Sequence, residues 1–188
     1  MTLLIAGLVL FFVAHLLPMA PAPRAALVAK WGERRYKAVF SAVSGLGLLV
    51  IVIGFASADR GAQWFAPLPA ARAAAPYAMI TVFILLAAAN SPSHIRAAIK
   101  HPMLIAVLIW SVVHLLANGD ARGTILFAAF AAYASVDLLS VLRRGAVTSF
   151  TPRPRADAIA VVAGTCIALL VMTFHRLLFG ASVVSFGV

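Results

Sequence analysis

Six apolar runs alternate along the chain with short polar, proline-bearing or basic stretches: Thr2–Pro18, Tyr36–Ala56, Pro76–Ala89, Pro102–Asn118, Arg122–Leu142 and Ala156–Gly180. About 20 consecutive apolar residues suffice for a helix to cross a ~30 Å hydrocarbon layer. No water inside that layer can satisfy backbone N–H and C=O groups, so each run is predicted to be helical. The third run is short, 14 residues by strict count, and needs Asn90 or flanking residues to complete it. The pattern predicts an all-α, polytopic transmembrane helix bundle of about six membrane-spanning helices, forming a single domain over residues 1–188 with the lipid bilayer as its solvent.

The breaks follow helix-ending chemistry. Pro18, Pro21 and Pro23 stop the first helix, and Pro67 and Pro69 lie in the second loop. Asn90-Ser91-Pro92 ends the third run, Asn118-Gly119-Asp120 makes a turn after the fourth, and Pro152 and Pro154 mark the fifth loop. Loops three and four are so short that spans three, four and five must be antiparallel neighbours. The alanine-rich stretch Ala70–Ala75 reads as spacer, and Gly45, Gly47 and Gly54 in the second span read as places where helices approach closely.

Composition agrees: 64% of residues are apolar and 11% charged, against about 45–50% and about 25% in soluble domains. The net charge of +10 raises the question of a nucleic-acid partner, and the placement of the charges answers it. Eleven of the 15 Lys and Arg residues fall in the first, third and fifth loops, while only Arg60, Arg72, Arg122 and Arg176 fall on the other side. By the positive-inside rule the odd loops are cytoplasmic and both termini periplasmic. The basicity is topological, with attraction to anionic lipid accompanying it, and no aromatic-interleaved basic surface points to nucleic acid. No Lys or Arg precedes the first run, the reverse of a signal peptide, so it is expected to be a retained helix. Cys166 is alone in an apolar span and offers neither a disulfide nor a thiolate pair for metal.

Ionisable side chains in a bilayer are expensive and tend to be functional, which makes the histidines the residues to weigh. His15 follows Phe12 and Phe11 by three and four residues; His114 follows Trp110 by four and precedes Asn118 by four. These spacings share a helix face, so each imidazole sits beside aromatic surface, and the Asn118 amide is in reach of His114 for a supporting hydrogen bond. Two neutral imidazoles on different helices suit the axial positions of a haem in a bundle core. The alternative is that each histidine hydrogen-bonds a neighbouring helix. His94 and His101 lie at the basic third loop and His175 beside Arg176 near a helix end, all three interfacial. His101, 13 residues before His114, points elsewhere on a regular helix and enters only as an alternate ligand. Asp137 shares a face with Tyr133 and lies six residues from Arg143, so it either handles protons or orients a ligand, or it pairs with loop arginines. Glu33 is expected to pair with its basic neighbours. No Walker loop, H-E-x-x-H, dinucleotide fingerprint or G-x-S-x-G occurs, so a site, if present, is within the membrane.

His15-Leu16-Leu17-Pro18, Gly32-Glu33-Arg34-Arg35-Tyr36-Lys37, His101-Pro102-Met103-Leu104, Trp110 to Asp120 with its Ala-Asn-Gly-Asp end, and His175-Arg176-Leu177-Leu178-Phe179-Gly180 together resemble the NnrU family of bacterial membrane proteins. The resemblance implies an inner-membrane accessory or sensor of denitrification, serving nitrite and nitric oxide metabolism beside other membrane proteins. The family is also similar to zeta-carotene isomerase, a membrane enzyme with b-type haem. That similarity implies haem b held by His15 and His114, with His101, Asn118, Trp110 and Asp137 as alternate ligand or supporting residues, and a possible haem-dependent cis/trans isomerisation of a polyene. A haem-free interaction protein is the third reading.

Overall fold

The structure is a computed structural model, and it describes residues 1–180. Eight α-helices account for most of them: α1 (Thr2–Leu16), α2 (Pro21–Trp31), α3 (Glu33–Ser57), α4 (Pro69–Ala88), α5 (His94–Ile99), α6 (Pro102–Asn118), α7 (Ala121–Arg143) and α8 (Pro154–Phe179). Five of these are long and apolar enough to cross a membrane, and α6, at 17 residues, is a shorter apolar helix beside them. The result is a helical bundle of about six spans, as the pattern predicts.

Two differences from the sequence reading concern what lies between the runs. The first loop contains α2, started by Pro21 at its first position and ended at Gly32, which adopts φ +78°. The third loop contains α5, whose Ser93 cap accepts a hydrogen bond from the Arg96 amide at 3.1 Å. Polar residues hid both helices from a search for long apolar runs. The third span is completed at its N-terminal side and not through Asn90: α4 starts at Pro69, includes the Ala70–Ala75 stretch, and carries Pro76 inside it. Alanine has the highest helix propensity, so the presumed spacer continues the helix and gives it 20 residues.

Packing orders the spans α3, α1, α7, α6, α4, α8. The α1–α3 seam depends on glycine. A Cβ on Gly54 would stand 2.5 Å from the Leu4 nitrogen, one on Gly47 2.9 Å from the Phe11 backbone, and one on Gly7 2.6 Å from the Ile51 nitrogen. Gly45 faces open space, so only two of the three glycines in this span serve close approach. Gly164 does the same on α8, against the backbone of Ile84 in α4. With no hydrophobic drive between helices in lipid, such contacts, through van der Waals packing, hold the bundle.

Successive spans reverse direction. One end of the bundle therefore gathers the basic residues of the α1–α3, α4–α6 and α7–α8 connections, and is called the basic end below. At the opposite end the α3–α4 connection straps across the α6–α7 turn. The amides of Trp64 and Leu68 donate to Gly119 and Leu116 at 2.9 Å each, the Ala121 amide donates to Ala62 at 2.9 Å, and the Gln63 side chain donates to Asn118 O at 2.9 Å. Arg122 fastens the same end by donating to the Phe55 and Ala58 carbonyls at 2.9 and 2.8 Å, capping α3.

Candidate functional site

An aromatic cluster occupies the meeting of α1, α7 and α6. Phe130 of α7 is its hub, with ring centroids 5.7 Å from Phe11, 5.0 Å from Phe12 and 5.3 Å from Trp110. The 3.6-residue period explains the assembly: Phe127, Phe130 and Tyr133 recur at threes along one face of α7. Rings at these separations attract by about 0.5–1.5 kcal/mol a pair beyond the area they bury.

The two histidines sit at the flanks of this cluster. The His15 imidazole stacks on Phe11 at 3.9 Å and meets Tyr133 edge-on at 5.8 Å and Phe40 of α3 at 5.3 Å. The His114 imidazole lies 4.9 Å from Phe127 and 5.6 Å from Trp110. Both are half-buried. Each donates from Nδ1 to the carbonyl four residues back, Phe11 O and Trp110 O respectively, both at 2.8 Å. The hydrogen-bond partner is thus the helix's own backbone and not a neighbouring helix. A carbonyl only accepts, so Nδ1 carries the proton and, in the neutral ring, the Nε2 lone pair remains. That tautomer and orientation are what a histidine ligand to a metal needs.

The two imidazoles lie at different depths in the bundle. Tyr133, beside His15, and Phe127, beside His114, are six residues apart on α7, which separates the imidazoles by roughly 9 Å along the bundle axis. Phe130 and Trp110 fill the interval. Each donor is chemically suited to haem iron.

Asn118 donates to His114 by 2.7 Å, but to the backbone oxygen and not the ring. It closes the last turn of α6 before Gly119, at φ +77°, begins the turn into α7. Asp137 is half-buried and accepts from the Tyr133 hydroxyl at 3.0 Å, one turn away; that hydroxyl also lies 3.4 Å from the His15 carbonyl. No arginine pairs with Asp137 among the described residues, where the ion pairs are Lys37–Glu33 at 2.8 Å and His94–Asp157 at 2.7 Å. The first matches the expectation for Glu33. The second shows that His94 is tied to the start of α8, with the Ile95 amide donating to the same carboxylate at 3.0 Å. His101 is the N-cap residue of α6 and borders a cleft of about 180 Å³ with Arg96, Lys100 and Met103. Thirteen residues of helix, about 20 Å, separate it from His114, so His101 and His114 do not meet.

His175 is half-buried near the end of α8, its ring 4.8 Å from Phe179.

A polytopic α-helical membrane protein with imidazoles and a carboxylate among aromatic rings is the class these features define. The chain belongs to the NnrU family, whose model, described as NnrU protein, matches residues 3–183. No curated protein and no solved structure matches the chain.

Proposed function

We propose that this NnrU-type protein binds haem b between its transmembrane helices in the bacterial inner membrane and serves nitrite and nitric oxide metabolism as an accessory or sensor. The observation that carries the reading is the matched state of His15 and His114, each with Nδ1–H donated to its own helix and an Nε2 lone pair left amid aromatic rings. Haem, when bound, supplies an iron whose redox state and affinity for a small ligand respond to nitric oxide. The chain's own residues do the rest. Phe127, Phe130 and Trp110 give an apolar, water-excluding wall beside His114, and Tyr133, held by Asp137, is a hydroxyl beside His15. Eleven cationic side chains at the basic end support a cytoplasmic assignment for that end and periplasmic termini.

The test is an absorption spectrum and pyridine haemochrome assay of the full chain purified from membranes of cells supplied with haem precursor. A Soret band with close to one haem b per chain is expected. Folded, colourless protein that also takes up no added haem contradicts the reading.

A further inference from the structure

At the basic end, α5, the start of α6 and the α7–α8 connection border the cleft of about 180 Å³. The connection is fastened across α5: the Arg153 amide donates to Pro92 O at 2.9 Å, and the Arg96 guanidinium lies over the Phe150 ring, 4.8 Å from its centroid. Between α5 and α6 the chain turns about a single residue. The His101 amide donates to Ile99 O at 2.7 Å around Lys100, whose φ of +64° and ψ of −47° belong to the rare, strained form of γ-turn. Lys100 is the one non-glycine residue with positive φ among the described residues, and strain of this kind collects at ligand clamps.

The walls of the cleft suit an anion. Arg96, Lys100, His101 and Thr148 border it, and no carboxylate does so among the described residues. Neither Arg96 nor Lys100 takes part in an ion pair among those residues. Phe150 covers a face of the Arg96 guanidinium, which leaves the N–H edge in its plane for a two-point contact with phosphate oxygens. The first turn of α6 adds backbone donors. Pro102 has no N–H and His101 provides no side-chain cap, so Met103 and Leu104, both bordering the cleft, keep amides without an intrahelical acceptor at the positive end of the helix dipole.

Size and depth select the ligand. A volume of about 180 Å³ is below the ~300 Å³ at which sites for drug-sized molecules begin, so the cleft takes a small group and not a whole nucleotide. It lies where a 17-residue apolar helix starts, beside the exposed Met103 side chain, and that is the level of lipid headgroups. Basic pockets between membrane helices hold anionic headgroups at this level.

We propose that this cleft binds the phosphate of an anionic phospholipid headgroup, through Arg96, Lys100 and the first amides of α6. The site is separate from the aromatic cluster and does not depend on haem.

The test uses the full chain in phosphatidylcholine nanodiscs with and without phosphatidylglycerol, followed by hydrogen exchange over residues 101–106 and by native mass spectrometry. Phosphatidylglycerol is expected to slow exchange in that segment, to remain as one lipid per chain, and to bind about tenfold more tightly than phosphatidylcholine. Arg96→Gln with Lys100→Gln is expected to lose all three effects. Arg34→Gln with Arg35→Gln, which removes the same charge from exposed positions elsewhere at the basic end, is expected to keep them. In case the first double variant fails to fold, Arg96→Lys keeps the charge without the planar fork and is expected to weaken lipid retention. Equal loss from the two double variants, or unchanged exchange in wild-type protein, overturns the proposal in favour of diffuse attraction to the basic end. Inorganic phosphate that protects the segment as well as phosphatidylglycerol does overturns the lipid as the source of the phosphate.

Discussion

Tyr133 donates its hydroxyl proton to Asp137 across one turn of α7, at 3.0 Å, inside the apolar part of the bundle. A carboxylate held this way has lost the obvious partner that sequence offers it, Arg143, and gained a neutral one. The reason is reach: residues four apart share a helix face, and residues six apart do not. The hydroxyl faces the end of α1, where His15 lies, so this pair links α7 to the histidine's backbone.

Removing the donor and removing the charge should therefore differ. Asp137→Asn keeps an acceptor for Tyr133 and should change unfolding free energy by no more than about 1 kcal/mol, whereas Tyr133→Phe leaves the carboxylate without its donor and should cost about 1–3 kcal/mol. Denaturant unfolding in detergent micelles, followed by circular dichroism, measures both. The opposite ranking means that the carboxylate is satisfied by something other than Tyr133.

The seam between α1 and α3 should respond to one methyl group in a position-dependent way. Gly54→Ala puts a Cβ 2.5 Å from the Leu4 backbone, which cannot swing aside, and should destabilise by about 1–3 kcal/mol. Gly45→Ala meets nothing within 4 Å and should be neutral or stabilise by about 0.5–1 kcal/mol through helix propensity. Thermal aggregation of the two variants in the same detergent ranks them directly, and equal loss from both contradicts the seam described.

Asp157 fastens α5 to α8 through the His94 side chain and the Ile95 amide. In Asp157→Ala the Ile95 amide loses its acceptor and should exchange its hydrogen markedly faster, with the six spans unaffected. Hydrogen exchange read by mass spectrometry over the segment 90–101 measures this; unchanged protection there means α5 is held by packing alone.

Reporter fusions after Arg35 and after Arg153 should both behave as cytoplasmic, since those connections belong to the basic end. A periplasmic signal from either inverts the orientation proposed.

The spans were legible because twenty apolar residues in a row have few alternative structures. The N-terminal part of α4, residues 69–75, was not, since Arg72 and Pro76 interrupt its hydropathy although neither stops the helix. The aromatic settings of His15 and His114 were legible because they arise at three- and four-residue spacings on one helix. What each imidazole bonds was less so: the i−4 carbonyl is a local acceptor that competes with any partner on another helix, and it takes Nδ1 in both cases. The close approach of α8 to α4 at Gly164 was not legible, because nothing local to residue 164 names Ile84 as its neighbour.

Trp110, with its ring 5.6 Å from that of His114, gives the most direct test of haem beside this histidine. The chain has three tryptophans, so Trp31→Phe with Trp64→Phe leaves Trp110 as the sole emitter. Titration of this protein with haem should quench its fluorescence almost completely, with an end point at one haem per chain, and His114→Ala should weaken the quenching at least tenfold in haem concentration, or about 1.4 kcal/mol. Trp110 emission that persists while haem binds, or quenching that His114→Ala leaves unchanged, contradicts the account.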